Sequence, residues 1–195
     1  MLRRLPLLLL FIGLSTLLAA CASSVSPPAR YMLPAGPAVS APDNPQDTLQ
    51  VRSPRLAHYL DVDGIVMQLD DITLNEAREH QWAESIGRQL ERALRAQLAE
   101  RLPTVQVVRA EGNSPEALTL SMEIDQFQGR YDGVAVASGQ WQLRGPNNEL
   151  LALKSFTAES TLNQDGYPAL VRSLGDSWNA VAQQIAEQLR QGGYF

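Results

Sequence analysis

The chain has 195 residues, 45% of them hydrophobic, with 21 acidic against 16 basic side chains and a formal charge of −5. That balance does not suit nucleic acid or an anionic lipid surface, both of which select for clustered Lys and Arg. A single cysteine, Cys21, excludes an internal disulfide framework, so stability must come from a packed core, and the length suits one such core.

The first twenty residues read as a secretory signal. Arg3 and Arg4 precede an apolar run from Leu5 to Ala20, which closes on Leu18-Ala19-Ala20 directly before Cys21. The run is shorter than the roughly 20 residues that span a bilayer, and no later segment is apolar enough to span. A cysteine after Leu-Ala-Ala resembles a bacterial lipoprotein signal. Cleavage is then expected between Ala20 and Cys21, with a diacylglycerol on the Cys21 thiol and an acyl chain on its new amino group. That covalent lipid is the one prosthetic group expected; no cofactor is. The alternatives are an ordinary signal peptide followed by a chance cysteine, or an uncleaved transmembrane helix. Loss of Arg3 and Arg4 with a leader that has no acidic residue takes the charge from −5 to −7.

Three regions follow: a signal over 1–20, a lipidated Cys21 and Pro-rich tether over 21–48, and a single domain over 49–195. The tether carries Pro27, Pro28, Pro34, Pro37, Pro42 and Pro45, half of the chain's 12 prolines, a composition that makes a semi-rigid spacer. Tyr31-Met32-Leu33 interrupts it, either as a short docked edge strand or as an apolar spot in a linker.

Within the domain, Leu49-Gln50-Val51 reads as a strand ended by Ser53-Pro54. Asp63-Gly64 signals a turn before a strand over Ile65–Leu69. Trp82, Ile86, Leu90, Leu94 and Leu98 recur every four residues and predict a helix from about Glu79 to Leu102, ended by Pro103. Glu84/Arg88 and Glu91/Arg95 are spaced to pair on its wet face. Val105–Val108 is a short strand. Leu118, Leu120, Met122 and Ile124 alternate with polar residues, and two further strands follow, over Val134–Leu143 and Leu151–Thr161, as an antiparallel meander. The apolar phase between Val136 and Trp141 slips, which a bulge at Gly139 would explain. Leu170, Leu174, Trp178, Val181, Ile185 and Leu189 form the stripe of a last helix that starts near Pro168 and ends at Gly192-Gly193. The expected fold is α+β: a largely antiparallel sheet with two long amphipathic helices packed against it.

Catalytic and metal-binding patterns are sparse. His58 and His80 have no partner at metal-ligand spacing, and a histidine near a helix start reads as a surface or capping residue. Asp61, Asp63, Asp70 and Asp71 form one acidic cluster without the later ligands of an EF-hand, so turn and strand-end duty is expected of them. Neither a catalytic residue nor a metal site is expected. Trp82, Trp141 and Trp178 lie on apolar faces and read as core.

The order of short motifs resembles a known family. Arg30-Tyr31-Met32-Leu33-Pro34 follows nine residues after Cys21, then come Val51-x-x-Pro54, Tyr59-Leu60-Asp61, Ile65-Val66, Trp82-Ala83-Glu84 and Tyr167-Pro168-Ala169-Leu170-Val171. Together they resemble the PqiC/YmbA-like ABC-type transport auxiliary lipoproteins over nearly the whole mature chain. The resemblance implies an accessory to a periplasmic MCE-domain protein that carries lipid between two membranes. It implies docking of that protein at the outer membrane, assembly of copies into a ring, and no enzymatic activity. It also suggests that Tyr31-Met32-Leu33 is a strand of the fold, and makes Tyr31, Leu33 and Trp82 candidate partner or packing contacts. Ala22 after the cysteine, where an Asp would favour the inner membrane, favours the outer one. The alternative is a stand-alone ligand-binding, hydrolytic or structural envelope lipoprotein, with His58, Asp61 and Asp63 as its candidate groups.

Overall fold

The computed structural model describes residues 26–36, 38, 41–111 and 117–195. Among these, nine strands and two α-helices form an α+β fold built on one mixed sheet. In chain order they are β1 (Ala29–Tyr31), β2 (Asp47–Val51), β3 (Arg55–Leu56), β4 (Gly64–Gln68), β5 (Leu74–Trp82), α1 (Ile86–Arg101), β6 (Val105–Arg109), β7 (Leu118–Arg130), β8 (Val134–Arg144), β9 (Leu150–Thr161) and α2 (Tyr167–Gln191). A 3-10 turn at His58–Leu60 links β3 to β4.

The three long strands β7, β8 and β9 form the expected antiparallel meander. The other edge of β7 is shared. It takes β2 at Leu118–Leu120, β3 at Glu123–Ile124 and β4 at Gly129, all in parallel. β6 extends the first branch beyond β2, also in parallel. β5 pairs antiparallel with β4, and β1 runs parallel to β5 at the outer edge of that branch. The parallel pairings are therefore short additions to a long antiparallel core.

Both helices cover one face. α2 lies over β9 and β8, and α1 packs beside it and against β6. Ile86, Leu90, Leu94 and Leu98 of α1 and Leu170, Leu174, Trp178, Val181, Ile185 and Leu189 of α2 are buried in one core with the inward residues of the sheet. Trp178 anchors the seam between the helices: its indole N–H donates to the Leu90 carbonyl at 3.1 Å. Phe127 and Phe156 meet its ring edge to face at centroid distances of 6.0 and 6.2 Å, an arrangement aromatic quadrupoles favour.

Two local expectations change. The helix begins at Ile86, not Glu79, because residues through Trp82 extend β5. Trp82 keeps the four-residue spacing of the helical stripe and is buried in the same core, so periodicity alone carried the helix about two turns too far. His80 therefore stands on a strand rather than at a helix start. The irregularity in the meander lies on β7. Ile124 pairs with Gly139 and Gln126 with Ser138, which leaves Asp125 as the extra residue. Inward positions of β7 change from even to odd across it, from Ile124 to Phe127, while β8 keeps Ala135, Ala137, Trp141 and Leu143 inward throughout. Val134 and Val136 simply occupy the other face. Gly139 is required by close approach: a Cβ there would sit 2.1 Å from the Glu123 carbonyl oxygen.

Candidate interaction surfaces

The N-terminal segment is fastened to the domain. β1 pairs with β5, and the Ala83 N–H donates to the Tyr31 carbonyl at 2.8 Å. The Tyr31 hydroxyl lies 2.9 Å from His80 Nδ1, and the His80 ring stacks on Tyr167 with centroids 3.9 Å apart. This joins β1, β5 and the start of α2. Burial raises the Tyr167 phenol above its ordinary pKa, with Tyr31 adding to the effect. Leu33 is buried, and its N–H donates to Gln89 Oε1 at 2.8 Å. Gln89 in turn donates to the Glu84 carbonyl at 3.0 Å. Pro34 lies so close over Gly175 that a Cβ there would meet its Cδ at 2.8 Å.

Tyr31 and Trp82 are register partners, and Trp82 packs 6.3 Å from Phe127, so the structure brings Tyr31, Leu33 and Trp82 together at one edge. Leu33 and Trp82 are buried there and Tyr31 is half-buried. Residues 29–36, within the expected 21–48 tether, lie on the domain. Cys21 and Ala20 lie outside the described residues.

The acidic cluster is divided in space. Asp61 and Asp63 precede β4, and Asp70 and Asp71 follow it, about 17 Å away along a five-residue strand. His58, Asp61 and Asp63 are exposed, and among the described residues no group of three His, Cys, Asp or Glu could hold a metal ion. Asp70 closes a turn: its Oδ1 accepts the N–H groups of Ile72 at 2.9 Å and Thr73 at 2.7 Å. These bonds hold its carboxyl below the ordinary aspartate range.

Glu91, expected on the wet face of the helix, is buried. It accepts a hydrogen bond from Ser53 Oγ at 2.7 Å and pairs with Arg95 at 3.1 Å and Arg109 at 3.5 Å. It ties α1 to the loop after β2 and to β6, a role its spacing from Arg95 does not reveal. Glu84, predicted to meet Arg88, is hydrogen-bonded to Arg92 instead.

The face of the sheet away from the helices carries an open cleft of about 520 Å³ lined by Arg52, Arg55, Glu123, Gln140, Gln142 and Leu153, among others. Arg55 pairs with Glu123 at 3.2 Å, and Gln140 donates to Glu123 at 2.9 Å. Such a lining offers hydrogen bonds and charge to a partner. β9 is an edge strand of twelve residues with Leu150, Leu151 and Leu153 exposed, and no described helix is long and apolar enough to cross a membrane.

Residues 31–186 match the model of the family described as ABC-type transport auxiliary lipoprotein component. The chain is 32% identical over 143 residues to the intermembrane transport lipoprotein PqiC of Escherichia coli (strain K12), covering 73% of this chain and 75% of that one, and the Shigella flexneri PqiC matches equally. The crystal structure of an uncharacterized protein superposes with a TM-score of 0.74 at 29% identity, covering 84% of this chain and 99% of that one. A protein from Xanthomonas campestris shares the fold, with a TM-score of 0.65 at 18% identity over 87% of this chain and 96% of its own. The family match begins at Tyr31, where the clamped strand ends, and runs through nearly all of α2; the chain belongs to the family of ABC-type transport auxiliary lipoprotein components.

Proposed function

We propose that the protein is a non-enzymatic, lipid-anchored accessory of an intermembrane lipid-transport assembly. It is acylated at Cys21 on the periplasmic face of the outer membrane. There it holds a periplasmic MCE-domain protein at the membrane, as a ring of identical copies. The clamp of β1 on β5 carries this reading. It joins a short anchored segment to a rigid domain, so that lipid attachment sets the position of the whole sheet. Similarity to PqiC supports the transport role, and Ala22 beside Cys21 supports outer-membrane sorting. The β9 edge, which pairs with no further strand among the described residues and exposes leucines, offers a surface through which copies can associate. His58, Asp61 and Asp63 are exposed.

Photo-cross-linking in cells tests the reading. Probes are placed at exposed positions on the cleft and on β9, and adducts are identified by mass spectrometry. Adducts with a periplasmic MCE-domain protein, together with self-adducts, are expected. Self-adducts alone, or adducts only with abundant envelope proteins, would shift the weight to a stand-alone lipoprotein that uses the cleft for its own ligand.

A further inference from the structure

The tip of the β4–β5 hairpin exposes three large apolar side chains around its aspartates, where hairpin tips are ordinarily polar. Ile72 is 87% exposed, Leu69 53% and Leu74 41%. The tip is ordered: Leu69 N–H donates to the Thr73 carbonyl at 2.8 Å, and Asp70 accepts from Ile72 and Thr73. Tyr131, 60% exposed in the β7–β8 turn, joins it, because Met67 pairs with Gly129 in parallel and both strands run out at the same end of the sheet.

The anchor leaves toward that same end. β1 is parallel to β5 with Ala29 beside His80, so the chain preceding Ala29 heads in the direction of Leu74. From His80 back to Leu74 is six residues of strand, about 20 Å. From Cys21 to Ala29 is eight residues, whose full reach is about 27 Å. An acyl chain on Cys21 therefore confines the bilayer to a distance from Ala29 that the hairpin tip already spans.

We infer that Leu69, Ile72, Leu74 and Tyr131 form a wedge that enters the surface of a zwitterionic bilayer and sets the domain's orientation on it. This rests on the proposed acylation of Cys21. Lipid fits better than a protein. Four side chains on two loop tips make a point rather than the roughly 800 Å² per partner of a stable protein interface. Tyrosine suits the headgroup boundary, where its ring is apolar and its hydroxyl wet. Asp70 and Asp71 lie on the same tip, while Asp132 in the neighbouring turn is paired with Arg130 at 2.9 Å; the hairpin's two carboxylates turn the tip away from anionic lipid and toward zwitterionic headgroups.

The test uses the full lipoprotein, extracted from membranes and reconstituted into phosphatidylcholine–phosphatidylethanolamine vesicles. Ile72→Cys and Asn147→Cys variants each carry an environment-sensitive fluorophore, position 147 being in the β8–β9 turn at the opposite end of the sheet. Mass spectrometry of the N-terminal peptide reads the state of Cys21 in the same samples. With Cys21 acylated, the label at 72 is expected to shift to the blue and to be quenched by spin-labelled lipid, while the label at 147 is not. Ile72→Asp, placed on an exposed side chain, is expected to leave the thermal melt unchanged while abolishing quenching of a label at Leu69→Cys. An acylated protein with no quenching at 72, or with a label at 72 that responds only when a partner protein is added, overturns the wedge and leaves the anchor standing. A free Cys21 overturns the anchor, and the wedge with it.

Discussion

Replacing Leu33 by Ala should unfasten the N-terminal segment from the domain without unfolding the domain. Leu33 is buried at the sheet edge, 9% exposed, and its backbone N–H is held by Gln89. Leu→Ala in a core costs about 2–5 kcal/mol, and an edge position that can collapse belongs near the lower figure, about 2 kcal/mol. The loss falls on a local opening. β1 is three residues long and meets the sheet only through β5, with Tyr31 on His80 as its side-chain bond, and such elements open independently of the global transition. At 1.4 kcal/mol per tenfold, about 2 kcal/mol raises the open population roughly 30-fold. Arg30, exposed in the middle of β1, supplies the readout. Trypsin cuts after it only when the strand leaves the ladder, and where reclosing outruns cutting the rate tracks the open population. Membrane vesicles carrying the protein are treated with trypsin, and the soluble fragment beginning at Tyr31 is followed by mass spectrometry. Its release should accelerate roughly 30-fold in Leu33→Ala, and also rise in Gln89→Ala, which strands the Leu33 N–H at a cost of about 1–3 kcal/mol. An acceleration below about threefold, or an equal acceleration of cutting at Arg52 and Arg92, would show that β1 melts only with the whole fold.

Two glycines should respond with opposite signs in thermal melts. Gly139→Ala drives a Cβ into the Glu123 carbonyl and should cost about 1–3 kcal/mol, or roughly 2–10 °C for a domain of this size. Gly87→Ala meets Leu56 Cδ1 at 3.6 Å and Ser85 Oγ at 3.8 Å, ordinary contacts, and should stabilise α1 by about 0.5–1 kcal/mol; a shared sign refutes the close-approach account. Trp178→Phe keeps most of the ring but loses the bond to the Leu90 carbonyl, so denaturant melts should show a loss of about 1–3 kcal/mol, and a change within about 0.5 kcal/mol would contradict the role given to that seam. Asp70 is held below the ordinary aspartate range by the Ile72 N–H and then by Thr73, so the order it gives the hairpin tip is complete above the unfolded aspartate's pKa and is lost as pH falls through the lower folded value. The Ile72 and Thr73 amides should titrate in NMR spectra with a midpoint below that of an unrestrained aspartate, and a midpoint at or above it would remove the turn from solution.

Much of this fold was legible because its long elements carry clear periods. β7 announces itself by Leu118, Leu120, Met122 and Ile124, and α2 by a stripe from Leu170 to Leu189, and both take the places expected of them. What escaped notice depended on coincidence between periods or on partners distant in sequence. Trp82 lies four residues before Ile86, a spacing that serves a helix as well as a strand leading into one. Asp125 is invisible as a bulge because the phase change appears only when Ile124 and Phe127 are both known to face inward. Glu91 gives no hint of burial, since Ser53 and Arg109, which neutralise and bond it, stand 38 residues before it and 18 after it in the chain. The three short strands beside β7 pair in parallel through connections that no local turn signal describes. At the N-terminus, composition left Tyr31-Met32-Leu33 open between strand and linker; the choice is made by His80, Gln89 and Tyr167, all far along the chain.

The proposed acyl anchor on the β1 side would also decide which end of the sheet meets a partner. β7 spans 13 residues, about 40 Å, and its two ends differ. At the end toward which the anchored segment runs are the β4–β5 tip and the β7–β8 turn. At the other end are the start of β2, Leu118, the Gly145–Asn148 turn and Tyr194, whose hydroxyl donates to the Leu151 carbonyl at 3.0 Å. A cleft of about 490 Å³ opens there between Gln46, Asp47, Thr48, Leu118 and Tyr194. With Cys21 in lipid, this second end stands about 40 Å from the bilayer, and a periplasmic protein approaching along the membrane normal reaches it first. Cross-linking probes at Thr48 and Asn147 should therefore capture the transport partner more strongly than a probe at Ile72. The reverse ranking, with the partner captured at Ile72 and not at Asn147, would mean that the domain stands on the membrane the other way up, and that the hairpin tip is a protein contact.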